Sequence, residues 1–278
     1  MSRRSMRLGF TRTELLVGSV IVSLLIAVLV PVIQHAREKA LRTRSRSHLK
    51  SISLAFHNYS ETFGVLCPGG VFDQAGGGRC DWTSSLKPYM EADSWYHSAE
   101  PGIRRWDDPE QFGYFMLLSE NCESSYYTNP TLGPMRQQDG LALNAYSANS
   151  WLLYRNSSVS MNDERIQNHG TGQVLVVADA YGDFAPFGYP MNWRDVTVGH
   201  RQTHGFGCPA REVTQAVILD GSVRDISVDM SHDLWRQLAG PVEIQPEAAH
   251  VARSWEPYRY PHASFVKREW IQKGGVRE

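Results

Sequence analysis

Glu14 poses the sharpest chemical question in this 278-residue chain. It stands at the mouth of an apolar run, and nothing charged interrupts Leu15 to Ile33, about 19 residues and enough for one bilayer-crossing helix. A carboxylate at the centre of such a helix costs roughly 2.5–3.5 kcal/mol, and less near the interface, so an ionisable group here calls for a partner. Three other constellations invite a chemical reading. His200, His204 and Cys208 recur every four residues, the spacing at which two helical histidines share a metal. Gly199, Gly205, Gly207 and Pro209 turn that stretch into a loop, no third ligand stands nearby, and locally hydrogen-bonded histidines are the simpler expectation. Asp179, Asp183 and Asp220 could offer oxygen ligands to calcium, but there is no Asp-x-Asp-x-Asp-Gly pattern. No metal is therefore expected, and Asp179, Asp183, His200 and His204 are the residues nearest to a ligand set. The third constellation, His57-Asn58-Tyr59, puts Tyr59 on the inner face of a helix, with His57 and Asn58 expected to bond the backbone of the domain.

Nothing in the remaining sequence adds a reaction. There is no nucleophile elbow and no dinucleotide fingerprint, and Gly76-Gly77-Gly78 lacks the Lys-Ser/Thr of a phosphate loop. Ser84, Ser85 and the histidines form no recognisable triad. The expectation is that the chain is not an enzyme and carries no cofactor, calcium in the head being the one candidate. A net charge of −1 argues against nucleic acid, which requires a strongly basic face. The four cysteines, Cys67, Cys80, Cys122 and Cys208, lack Cys-x-x-Cys spacing, which disfavours a zinc ribbon. In an oxidising compartment Cys67 with Cys80 is the nearest candidate disulfide, the connectivity itself staying open.

These residues need elements to hold them. Leu41, His48, Leu49, Ile52, Phe56, Tyr59 and Phe63 recur at three and four, one face of an amphipathic helix, opposite Arg42, Arg44, Arg46, Lys50 and Glu61. Gly64 is a natural C-terminal stop. One helix of roughly 50 residues, from Thr11 to Phe63, is expected, kinked at Pro31, with its first half in lipid and its second half on a soluble head. Residues 64–81 read as a Gly-rich loop, 82–90 as a short helix, and Tyr114–Leu118 as a short helix or strand. Gln173–Val177 is a buried-strand run. Ala216–Leu219 and Ser222–Val228 flank Asp220-Gly221, the signal of a hairpin with a two-residue type I′ turn. Asp233–Leu238 looks like a closing helix. The expected organisation is a basic leader at 1–9, a transmembrane helix at 10–34, an amphipathic helix at 35–64, a globular head at 65–241 and a tail at 242–278. The fold class is α+β, a long N-terminal transmembrane and amphipathic helix packed on an antiparallel β-sheet head.

Gly9, Phe10, Thr11, Glu14, Leu15, Leu16 and the mid-helix Pro31 together resemble the N terminus of type IV prepilins and pseudopilins. Arg12 stands where that family usually has an apolar residue. The resemblance implies cleavage between Gly9 and Phe10 by a prepilin peptidase, methylation of the new N terminus, and pairing of Glu14 with the Phe10 amine of a neighbouring subunit. Opposite charges buried together cost less than one alone. A second resemblance spans residues 7–240, to a bacterial family of pseudopilin-like proteins of unknown function. It rests on Leu49-Lys50-x-Ile52, Ala55-Phe56-His57-Asn58-Tyr59 and Gly64, on Trp82 with Leu86-x-Pro88-Tyr89, and on His204-Gly205 with Asp220-Gly221-Ser222-Val223. The middle third matches least, Cys122 is followed by Glu123 where that family has Cys-Pro, and the tail has no counterpart.

The resemblances imply a single-pass subunit of the cytoplasmic (inner) membrane, with its N terminus in the cytoplasm and its head in the periplasm or extracytoplasmic space. Its partners would be the peptidase, other pseudopilin subunits, an inner-membrane secretion platform and the lipid bilayer. Flanking charge does not decide orientation, since Arg3, Arg4, Arg7 and Arg12 precede the span and Arg37, Lys39, Arg42, Arg44 and Arg46 follow it. An ordinary signal peptide fits less well, because the core is long and His35-Ala36-Arg37-Glu38 is a poor cut site. An unprocessed anchor is a further reading. The alternative function is a membrane-anchored binding module whose Trp82, Trp95, Trp106, Trp151 and Trp193 stack on carbohydrate.

Overall fold

A computed structural model describes residues 12–90, 104–120, 126–137, 140–202 and 204–244. The processing pair Gly9 and Phe10, together with Trp95, Cys122 and the tail from 245, lies outside them. The chain divides into two compact units, 1–43 and 44–278.

In the first unit the described residues are all helix. This is the opening part of α1, which runs from Arg12 to Phe63 and carries Glu14 in its first turn and Pro31 inside it. Through Leu15–Ile33 it is sustained by mostly aliphatic, uncharged residues that carry it past Gly18, and the hydroxyls of Ser19 and Ser23 are spent on the carbonyls of Leu16 and Ser19. Its large apolar side chains between Leu15 and Ile33 are 45–68% exposed.

The second unit holds the rest of α1 and the sheet. Ser45, His48, Leu49, Ile52, Ser53, Ala55 and Phe56 form the buried face of α1, close to the expected stripe. Phe63, expected on that face, is 57% exposed, because the helix ends there: Gly64, at φ +76°, sends its N–H back to Ser60. A small hairpin follows, β1 (Gly70–Phe72) with β2 (Gly78–Asp81). Next come α2 (Trp82–Leu86), capped by Asp81, and α3 (Pro109–Glu120), which contains the ambiguous 114–118 stretch. The main sheet comprises β3 (Tyr146–Asn149), β4 (Leu175–Asp179), β5 (Trp193–Arg194), β6 (Val213–Ile218) and β7 (Val223–Ser227). Its order is β5-β3-β4-β6-β7, antiparallel except for β3 with β5. Between β3 and β4 lies α4 (Glu164–His169), and α5 (His232–Gln237), capped by the Ser231 hydroxyl, follows β7.

β3 and β4 are buried along their whole length, but only β4 reads as an apolar run, from Leu175 to Ala178. One core joins Leu49, Ile52 and Phe56 of α1 to Trp82, Tyr146, Val177 and Val217. A second lies around Trp151, Ile218, Phe206 and Trp235. Ile244 also belongs to the first core, which carries the head past its expected limit at 241.

Gly188 shows how tightly the head is packed. At φ +78°, an added Cβ would come within 2.0 Å of the fully buried Phe115 ring. Replacing Gly188 with Ala should cost about 2–4 kcal/mol through overpacking and a left-handed backbone. Denaturant unfolding of the full chain in detergent would read this as a lower midpoint, and the added Phe115→Leu change should return part of the loss.

Candidate functional site

The Asp220-Gly221 turn and the helix it meets are the best-defined polar site in the head. β6 and β7 pair with Val217 opposite Val223, and Ile218 N–H donates to the Ser222 carbonyl at 2.9 Å. Gly221 has φ +86° while Asp220 is not among the residues of positive φ. The connection is thus a three-residue loop with glycine at its left-handed position, not the expected two-residue I′ turn. Asp220 accepts from Ser222 N–H at 2.8 Å, and its carboxyl is held below its usual range by the Ser222 and Arg224 contacts, against desolvation. The Gly221 carbonyl accepts from Lys50 Nζ at 2.7 Å and from the Ser53 hydroxyl at 3.1 Å, and Arg46 donates to the Val223 carbonyl at 2.8 Å. A Cβ at Gly221 would sit 3.3 Å from the His57 ring. His57 itself bonds the Ser53 carbonyl at 2.9 Å, one turn back in its own helix, so it does not reach the backbone of the sheet as expected.

Behind the hairpin, Asp179 closes β4 in full burial. Its Oδ1 accepts from Asn129 Nδ2 at 2.7 Å and its Oδ2 from Gln215 N–H at 2.7 Å, with Arg211 at 3.5 Å. Burial pushes its pKa up to about 6, against the pull of Arg211 and these donors. Cys208 lies 3.3 Å from Arg211 Nε, and burial raises its thiol. Gln215 Nε2 extends the network to Asp225 at 3.1 Å. Both Asp179 oxygens accept from neighbouring donors, and the side chain is buried away from open space.

The remaining metal candidates separate as well. His204 Nδ1 pairs with Asp183 at 2.7 Å. His200 bonds the Thr214 hydroxyl and stands edge-on to Trp235, ring centres 5.4 Å apart. Among the described residues no group of three or more His, Cys, Asp or Glu side chains could hold a metal ion. The loops carrying these residues are held from below by Arg194, a buried guanidinium that donates to the carbonyls of Tyr181, Gly182, Asp183 and Gly205 at 2.6–3.0 Å. Burial lowers its pKa to about 10. Asp183, Arg201 and His204 all have positive φ, a local strain that this clamp maintains.

Asp81 escaped notice in the sequence. It is fully buried and accepts from Thr83 and Ser84 hydroxyls and from Ser84 N–H. Burial raises its carboxyl and lowers the Lys87 ammonium to about 7. Its signal was the helix-capping spacing, Asp three residues before Ser. Cys67 and Cys80, the nearest candidate pair for a disulfide, are free buried thiols here. Desolvation, with Asp81 adding negative charge, raises Cys67 and pushes Cys80 up to about 12, so the thiolate that disulfide exchange requires is suppressed. Trp82, Trp106, Trp151 and Trp193 are all buried in the cores and offer no face to a sugar.

A helix of membrane-spanning length and composition, joined to an α+β head with an antiparallel-rich sheet, defines a pilin-like α+β protein with an apolar N-terminal helix. Residues 34–222 match the family model SBP_bac_10, described as Protein of unknown function (DUF1559), and the chain belongs to that family. No curated protein and no solved structure matches the chain.

Two variants test this account of the head. Asp179, with a folded pKa above its unfolded 3.8, binds more protons folded than unfolded. Its contribution is therefore full below about pH 4 and is lost as pH rises to about 6. Denaturation midpoints of wild type and Asp179→Asn, compared across that window, should show the variant missing a fall of about 2–3 kcal/mol. Arg194→Met, which strands four carbonyls, should cost about 3–5 kcal/mol and expose the 181–183 loop to limited proteolysis.

Proposed function

We propose that the chain is a pseudopilin-like membrane subunit. Its apolar helix lies in the cytoplasmic membrane with the N terminus in the cytoplasm and the head outside it. A prepilin peptidase cuts after Gly9 and methylates Phe10, and Glu14 then meets the Phe10 amine of a neighbour in a pilus-like or type II secretion-like filament. The observation that carries this reading is the exposure of the run. No part of its most apolar 18-residue window is buried within the protein, unlike the core helix of a soluble domain. Burying each Leu, Ile or Val of that run contributes about 1.5–3 kcal/mol, so the surroundings that complete it are lipid and other apolar helices. The buried, hydrogen-bonded carboxylate of Asp179, the burial of Cys208 and the Asp183–His204 pair support an assembly role over catalysis. The carbohydrate-binding alternative loses four of its five tryptophans to the core.

Intact mass and N-terminal sequencing of the protein from its native membrane should give a chain starting at N-methylated Phe10. A start at Met1 would leave an unprocessed anchor, and a start beyond 33 would overturn membrane insertion. With processing established, Glu14→Ala should leave membrane insertion intact and reduce subunit cross-linking at least tenfold.

A further inference from the structure

Immediately beyond the apolar run, α1 carries a group of cations whose arrangement is informative. Arg37, Lys39, Arg42 and Arg44 are exposed, with Glu38 the one acid among them. Arg46, the next cation, is engaged by the Val223 carbonyl and lies 3.9 Å from Asp225. At about 100° per residue, Arg37 and Arg44 fall on one side of the helix, and Lys39 and Arg42 on the other. The four occupy two opposite sides of the helix, not a single stripe. A protein partner or a single bound anion would engage one side of the helix. Cations on opposite sides match a ligand that surrounds the helix.

Position along the axis points to the same ligand. With a rise of 1.5 Å per residue, Arg37 and Lys39 lie about 6 and 9 Å past Ile33, and Arg42 and Arg44 about 13 and 16 Å past it. The headgroup layer on each side of a bilayer is about 5–8 Å deep. Helical side chains lean toward the N terminus, here back toward the apolar run, and long basic side chains extend their charge along such a boundary. Arg37 and Lys39 thus fall within the headgroup layer, and Arg42 and Arg44 reach its surface from within about one Debye length.

We propose that residues 37–44 form a collar that binds the anionic headgroups of phospholipids in the leaflet where the apolar helix ends. The proposal rests on the membrane reading of α1 but not on its orientation. It also accounts for a feature that orientation rules leave unexplained: five cations follow the span where four precede it. An anionic lipid annulus neutralises those cations locally, whichever side they face.

The test uses the full chain reconstituted into vesicles of phosphatidylcholine alone or of phosphatidylcholine with one quarter phosphatidylglycerol. Flotation on a density gradient reports insertion, and spin-labelled phosphatidylglycerol and phosphatidylcholine report which lipid is immobilised at the protein. The expected result is flotation with both vesicles and a preference for labelled phosphatidylglycerol of about fivefold or more at low salt, the effect of one engaged cation. It should weaken at high salt and approach unity in the Arg37→Gln/Lys39→Gln/Arg42→Gln/Arg44→Gln variant. Equal immobilisation of the two lipids, or a preference that survives in the variant, overturns the collar while leaving the membrane reading intact. Flotation with neither vesicle overturns both.

Discussion

A single continuous helix, α1, must satisfy two different surroundings, and much of the rest of the chain is arranged around that requirement. Along Leu15–Ile33 its side chains are apolar in every direction and uncovered by protein. From Ser45 to Phe56 only one face is buried, and it is mixed: Leu49, Ile52 and Phe56 are interleaved with Ser45, Ser53 and His48. A helix apolar all round suits lipid, and one with a stripe suits a protein surface. The polar members of the stripe are each answered. Ser45 meets the Tyr146 hydroxyl at 3.0 Å, His48 the Thr128 carbonyl at 3.1 Å, and Ser53 the Gly221 carbonyl. Such bonds add little net energy, but an unmade one costs 1–3 kcal/mol in a buried site, roughly the worth of a buried side chain. They therefore fix the register of α1 on the sheet, which apolar contact alone specifies weakly.

The Asp220-Gly221 turn takes its meaning from that register. Its carbonyl accepts from two residues of α1, and its glycine leaves room for His57. The local chemistry of Asp and Gly makes the turn, and helix packing gives it a place. Leu49-Lys50-x-Ile52 and Asp220-Gly221-Ser222-Val223 are two of the segments that carry the wider family resemblance, and here they are the two sides of one contact. The turn is a docking joint, and Lys50 and Ser53 are its other half.

Elements set by local chemistry were legible in the sequence. The extent of α1, its Gly64 stop, the β6–β7 hairpin and the closing helix α5 all follow from periodicity and from Gly and Ser at the right positions. The turn type was misjudged because Asp-Gly serves two hairpin geometries, and the choice depends on whether Leu219 joins the strand or the loop. The middle of the chain was illegible for a different reason. β3 contains Ser147 and Asn149 and is buried on both faces, so neither alternation nor apolar continuity marks it. Asn149 earns its place there by donating to the carbonyls of Leu175 and Ala239, 26 and 90 residues away, and no local pattern encodes that. Asp81, Arg194 and Arg211 were missed likewise, since a buried charge is recognisable only when its distant partners are known.

The same long-range satisfaction explains why candidates for chemistry in the head became structural. Asp179, Asp183, His200 and His204 resemble ligands in sequence because they are polar and crowded between glycines. In the fold each is claimed by a different neighbour: a strand N–H and an asparagine, a histidine, a threonine, an aspartate. A buried carboxylate whose oxygens accept from neighbouring donors is committed to those donors, and giving them up would leave buried polar groups unpaired. Arg194 makes the point for the opposite charge, because its guanidinium is solvated by four carbonyls and holds the loops of three strained residues in place. The head thus puts its buried charges into rigidity. A rigid body attached to an apolar helix suits a subunit that must present one fixed surface beside its neighbours.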